Sequence, residues 1–156
     1  MFHVILFRPE IPPNTGNAIR LCANTGATLH LVRPLGFSLD DKQLKRAGLD
    51  YWEHVDLRTW PSWEAFEHAL PTLGEPWFFS TKGKRYYWDA PLGAAGDVVL
   101  VFGRETGGLP EDLHERYADR MVAMPIASPL VRSLNLSTCV GIATYEVLRQ
   151  RQSRQG

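Results

Sequence analysis

"DVVLVFGRETGGLP", residues 97–110, is the stretch from which the rest of the chain can be read. Its first half, through Phe102, is a short apolar run rich in β-branched residues. That pattern suits a strand buried on both faces rather than half of a surface helix. Its second half is a loop with glycines at 103, 107 and 108, an acid at 105 and a proline at 110. The spacing G-x-x-x-G-G is neither the dinucleotide fingerprint nor a P-loop, which needs Lys-Ser/Thr after its last glycine. Glu105 inside the loop, with Glu111 and Asp112 just beyond it, disfavours a polyphosphate and suits a ligand carrying hydroxyls or positive charge. A tight turn whose acids complement a helix dipole is the alternative reading of the same residues.

The flanking sequence repeats the alternation of apolar run and amphipathic stretch. Phe2 to Phe7, "TLHLVRP", residues near His54 to Arg58, "WFFST" and "RMVAMPI" read as further strands. Between them the sequence predicts several helices. One is capped by Asn14 after a Pro12-Pro13 break and closed by Gly26; a short one is capped by Asp40; another runs from Ser62 to Leu70. The longest prediction spans about Asn135 to Arg151, where Leu136, Val140, Ala143 and Val147 recur at spacings of three and four, with Cys139 and Ile142 widening the stripe. Residues 80–96 read as a polar loop with no clear period. Nearly all-apolar strands alternating with helices imply an α/β, Rossmann-like domain, with a mostly parallel sheet covered by helices on both faces.

At 156 residues, 44% hydrophobic and 22% charged, the composition suits one globular domain over residues 1–156, with a mobile tail after about 150. No apolar run approaches a membrane span, and "MFHVILFRPE" lacks the basic start and long apolar core of a signal peptide. A cytoplasmic protein with no membrane partner is expected. Cys22 and Cys139 stand far apart with no metal-ligand spacing around them, so reduced core thiols and no metal are expected. Lys and Arg number 17 against 17 Asp and Glu, so any attraction to nucleic acid must come from local patches.

Three such constellations stand out beside the glycine loop. Asn14, Asn17 and Arg20 recur every third residue and would share one polar helix face, although capped helices often open this way. Arg132, Ser133, Asn135, Ser137 and Thr138 crowd the start of the last helix, more polar groups than capping alone explains. In "TKGKRYYW", Lys82, Lys84 and Arg85 adjoin Tyr86, Tyr87 and Trp88, combining phosphate-seeking charge with stacking faces suited to single-stranded RNA. A solvated basic loop over buried aromatics is the other reading.

Taken in order, "PPNTGNAIRLCANTG", "FGRETGGLP" and "RSLNLSTCVGIATYE" resemble the three motifs of the SPOUT-class RNA 2′-O-ribose methyltransferases. The likeness runs from Val4 to about Gln150. The short length and "KRAGLDYW", residues 45–52, are similar to members that methylate the wobble nucleotide of tRNA. Arg104 stands where relatives often carry proline, and "ASPLVRS" is about a residue longer.

The resemblance implies a C-terminal trefoil knot, S-adenosylmethionine as methyl donor, a homodimer, and the anticodon stem-loop of tRNA as substrate. It also implies a cofactor pocket lined by Phe79, Ser80, Gly103, Glu105, Met124, Ile126, Ser133 and Leu134. The reaction centre it implies is Arg20 with Asn14, Ser133 and Asn135. The family reading makes Arg20 the base, but an ordinary arginine costs about 7 to 9 kcal/mol to neutralise at pH 7. A charged Arg20 that orients a phosphate or polarises the 2′-hydroxyl stands beside it. Glu105 is left facing either cofactor or RNA. Methylation of another RNA, such as ribosomal RNA, and a non-catalytic knotted RNA-binding module are the competing functions.

Overall fold

The computed structural model describes the backbone of residues 1–155, and the side chains of all of these except 49, 50, 154 and 155. Among the described residues seven strands are present: Phe2–Phe7 (β1), Thr28–Val32 (β2), Leu57–Trp60 (β3), Glu75–Phe79 (β4), Arg85–Tyr86 (β5), Val98–Phe102 (β6) and Met121–Ala123 (β7). They form one all-parallel sheet in the order β3-β2-β1-β6-β4-β7-β5. The helices are Pro12–Thr25 (α1), Lys42–Gly48 (α2), Trp63–Leu73 (α3), Glu111–Arg116 (α4) and Leu136–Gln155 (α5).

Period-two alternation, with both faces of the sheet covered, explains why the central strands β1 and β6 are buried and, but for His3, apolar along their whole length, while the edge strands β3 and β5 are not. Val4 and Leu6 of β1 join Val98, Leu100 and Phe102 of β6 on one face, against Ala18, Ile19 and Cys22 of α1 and Val140, Ala143 and Val147 of α5. Ile5, Phe7, Val99 and Val101 point the other way, onto Trp63, Phe66 and Leu70 of α3 and Leu113 of α4. The sheet is thus helix-covered on both sides, as the sequence predicts. Both cysteines are free, and burial pushes their thiols up, Cys22 to about 12 and Cys139 to about 11.

Several boundaries differ from expectation. Pro12 and Pro13 do not break the chain but are the first residues of α1, with Ile11 as its cap. Proline fits there because the first helical N–H groups have no intrahelical partner to lose. Asn14 is therefore inside the helix. Asp41 rather than Asp40 caps α2, accepting from the N–H groups of Gln43 and Leu44. Ser62 caps α3 as expected, but that helix passes through Pro71 to Leu73. A 3-10 turn over Leu49–His54 delays β3 to Leu57, and α5 continues past Arg151 to Gln155. The loop at 80–96 supplies β5 and a 3-10 turn over Tyr87–Asp89, both too short to leave a periodic signal.

On the β1–β2–β3 side, the imidazoles of His3 and His30 are buried and 3.1 Å apart, Nδ1 to Nε2. The Trp60 indole N–H donates to His30 Nδ1 at 2.9 Å, so the His30 proton lies on Nε2 and is donated to His3. Burial first, then the neighbouring charge on His3, pushes His30 down to about 3.

The order of strands matters for function. β6 enters between β1 and β4, and β7 enters between β4 and β5, so two late strands fill gaps left by earlier ones. In parallel sheets ligands gather at the carboxyl ends of strands where the order switches.

Candidate functional site

The carboxyl ends of β6, β4 and β7 lie side by side. Phe79 is in register with Phe102 on one side and Val122 on the other, and the rings of Phe79 and Phe102 stack with centroids 4.6 Å apart. Phe79, Ser80, Gly103 and Met124 are thereby brought to one edge. The Ser80 N–H donates to the carbonyl of Val122 at 2.9 Å. His114 of α4 lies with Nδ1 3.0 Å from the carbonyl of Pro110 and Nε2 2.7 Å from Ser80 Oγ. A carbonyl only accepts, so Nδ1 carries the proton and, in the neutral imidazole, Nε2 accepts from the Ser80 hydroxyl. This bridge ties the chain leaving β4 to the far end of the glycine loop.

The glycine loop is locked to the exit of β1 by a reciprocal exchange of carboxylates. Glu105 accepts from the N–H groups of Glu10 and Ile11, each at 2.8 Å, and from the amide of Asn14 at 3.3 Å. Glu10 in turn accepts from the N–H of Thr106 at 2.8 Å and from its hydroxyl at 2.7 and 2.8 Å. These bonds, the backbone one first, hold the Glu10 carboxyl below its ordinary range. The geometry of the loop requires its glycines: a Cβ on Gly103 would stand 2.6 Å from the Gly108 backbone, and Gly107 has φ +91°. Glu105 thus spends both oxygens on the start of α1, and its side chain faces protein.

Asn14 and Arg20 part company for a related reason. Three-residue steps lag a full helical turn by about 60°, so a stripe spaced by threes winds around the helix. Asn14 is turned inward to Glu105, 5% exposed, while Asn17 and Arg20 face out. Arg20 sits 5.6 Å over the Tyr51 ring and makes no ion pair among the described residues. Together with Asn17, Leu21, Ala23, Asn24 and His54, these two residues line a cleft of about 860 Å³. None of the cofactor candidates is among that lining. Within the 45–52 segment, the side chains of Leu49 and Asp50 lie outside the described residues.

In the third constellation Asn135 caps α5, its Oδ1 accepting from the N–H groups of Ser137 at 2.9 Å and Thr138 at 3.3 Å and from the Ser137 hydroxyl at 2.6 Å. Arg132 and Ser133 are exposed and make no hydrogen bond or ion pair among the described residues. Met124, Ile126 and Leu134 are half-buried. The backbone of Ile126 and Ala127 makes no hydrogen bond among the described residues. Free backbone polar groups beside half-buried apolar side chains fit an adenosyl group, which offers an apolar ring rimmed with donors and acceptors. Sequence reasoning missed Glu10, Thr106 and His114. Glu10 and Thr106 are 96 residues apart, and neither carries a local signal of the other.

Residues 1–145 match the model of the SpoU rRNA methylase family. A tRNA (cytidine(34)-2′-O)-methyltransferase of Methylovorus glucosotrophus is 51% identical over 152 residues, 96% of each chain. Its counterpart from Saccharophagus degradans is 49% identical over 153 residues, again 96% of each. Among solved structures, one determined to explain 2′-OH methylation of C/U34 on tRNA superposes with a TM-score of 0.91 at 46% identity, covering 99% of this chain and 98% of that one. An rRNA methyltransferase from Sinorhizobium meliloti with bound AdoMet gives 0.84 at 27% identity, covering 95% of this chain and 56% of the other. The chain belongs to the SpoU methylase family.

Proposed function

We propose that this protein transfers the methyl group of S-adenosylmethionine to the ribose 2′-hydroxyl of the wobble nucleotide, position 34 of tRNA, a cytidine or a modified uridine. The observation that carries this reading is the identity of about half of all residues, over 96% of both chains, with relatives named for that reaction. The bound donor supplies a methyl group already activated on a sulfonium. The protein's part is to hold two reactants in line, which can contribute about 7 to 11 kcal/mol.

In this proposal the backbone at Phe79, Ser80, Gly103, Met124 and Ile126, with Ser133 and Leu134, forms the cofactor pocket. Glu105 belongs to that pocket as the residue that fixes its wall. Arg20, as a guanidinium free of carboxylates, polarises the 2′-hydroxyl or holds the adjoining phosphate. Ser133 is free to accept a hydrogen bond at the reacting ribose. Asn135 fixes the helix start next to it, and Asn14 anchors the helix that carries Arg20. The insertion of β6 and β7 between earlier strands supports threading of the C-terminal segment as a trefoil knot. We also propose a single catalytic domain, a homodimer built on the faces of α1 and α5, the anticodon stem-loop as the docking element and the cytoplasm as the site of action.

The test is to map 2′-O-methylation in tRNA from a deletion strain and after incubation of purified protein with S-adenosylmethionine. Loss of methylation at nucleotide 34 and its restoration by the protein are expected. Methylation elsewhere, for example in ribosomal RNA, overturns the substrate; absence of any transfer overturns the enzyme.

A further inference from the structure

We propose that the outer edge of the sheet at β5, presenting Lys84, Arg85, Tyr86 and Trp88, holds the single-stranded RNA that flanks the methylated nucleotide. The proposal rests on the methyl-transfer reading and adds where the RNA lies.

Position is the first observation. β5 is the terminal strand, and Tyr86 is in register with Ala123, one residue before Met124. Neighbouring strands lie about 4.8 Å apart, so the patch opens beside the carboxyl end of β7. Shape is the second. Tyr86 is 48% and Trp88 46% exposed, with ring centroids 5.3 Å apart at 62°. Tyr87 between them packs onto the core and touches Trp88 at 5.2 Å. The outward rings are therefore buttressed from below instead of swinging free.

Charge is the third. Lys84 and Arg85 are exposed, and neither makes an ion pair among the described residues. Arg85 is held 5.2 Å over the Trp77 ring. The nearby cations Lys82 and Arg120 are spent on Glu111 and Glu75. A chain with no net charge must meet phosphates through such local groups. Bases stack on aromatic faces in a sequence-tolerant way while cations track the backbone, which suits nucleotides beside the one being modified.

The experiment measures methylation and fluorescence-anisotropy binding of an anticodon stem-loop RNA by the full chain. For Trp88→Ala and Tyr86→Ala the loss should fall in KM and Kd for RNA, about 5- to 100-fold, rather than in kcat. Trp88→Phe should recover most of it, and Lys84→Ala should lower the slope of log affinity against log salt by about one. Circular dichroism confirms that each variant folds. Unchanged KM and Kd in folded variants overturn the proposal, as does a loss traced by light scattering to a changed oligomeric state, which assigns the face to a second copy. If the unaltered protein binds the stem-loop through these residues but transfers no methyl group, the patch stands and the methyl-transfer reading falls.

Discussion

The 103–108 loop and the 127–134 segment leave the same edge of the sheet, from β6 and β7, and differ in where their polar groups go. In the first, both Glu105 oxygens and the Thr106 N–H and hydroxyl are bonded to the exit of β1. In the second, the bonds stay local, from Leu130 and Val131 back to Ser128 and from the Cys139 thiol to the Leu134 carbonyl, while Leu130 is 92% exposed and Ser133 is free among the described residues. Residues whose bonds are closed by the protein hold shape, and residues whose bonds are left open meet the ligands. A carboxylate in a cofactor loop is then no evidence of a cofactor contact.

Arg20→Ala is expected to give the largest effect that can break this division. It should slow methyl transfer by about 10²- to 10³-fold while the melting temperature and cofactor affinity stay close to wild type. A large fall in melting temperature instead would make Arg20 part of the frame. The frame itself should yield to mild acid at its far edge. His30 lies near 3 when folded against 6.5 when free, so the unfolded chain binds the proton first and stability falls as pH drops below about 6.5. Urea unfolding at pH 7 and pH 4.5 should differ by about 2 to 3 kcal/mol. Most of this loss occurs above the carboxylate range. Glu105→Ala leaves two backbone N–H groups and the Asn14 amide without their acceptor. About 2 kcal/mol of stability should be lost, with cofactor affinity falling only through the loosened loop. Leu130→Ser should cost less than about 0.5 kcal/mol, as exposed positions do, yet weaken cofactor or RNA binding; a stability loss above that places it in the frame.

Much of the frame could be read before the structure was known, because it is repetitive. Apolar strands covered on both faces, and the stripe Leu136, Val140, Ala143 and Val147, all buried, follow from local periodicity. The three motifs also located the family. What could not be read was the destination of individual polar groups. Asn14 looked like a cap with an outward stripe, and only the position of the helix start, at Pro12, turns it inward to Glu105. The sequence leaves Glu105 open between cofactor and RNA, whereas in the fold its side chain meets Glu10, Ile11 and Asn14. Such pairings depend on how two loops meet, which no window of sequence contains.

The carboxylate at the start of α1 also bears on how the chain is made. That helix has no acid in its own first turn, and its positive end is met by a group 95 residues downstream of Glu10. During synthesis α1 emerges long before its counter-charge, and β1 emerges long before β6, its partner on one side. The first half of the protein therefore waits, incomplete at both its helix and its sheet, until the glycine loop arrives. A ribosome-bound fragment ending before β6 carries an open strand edge and a helix without its counter-charge.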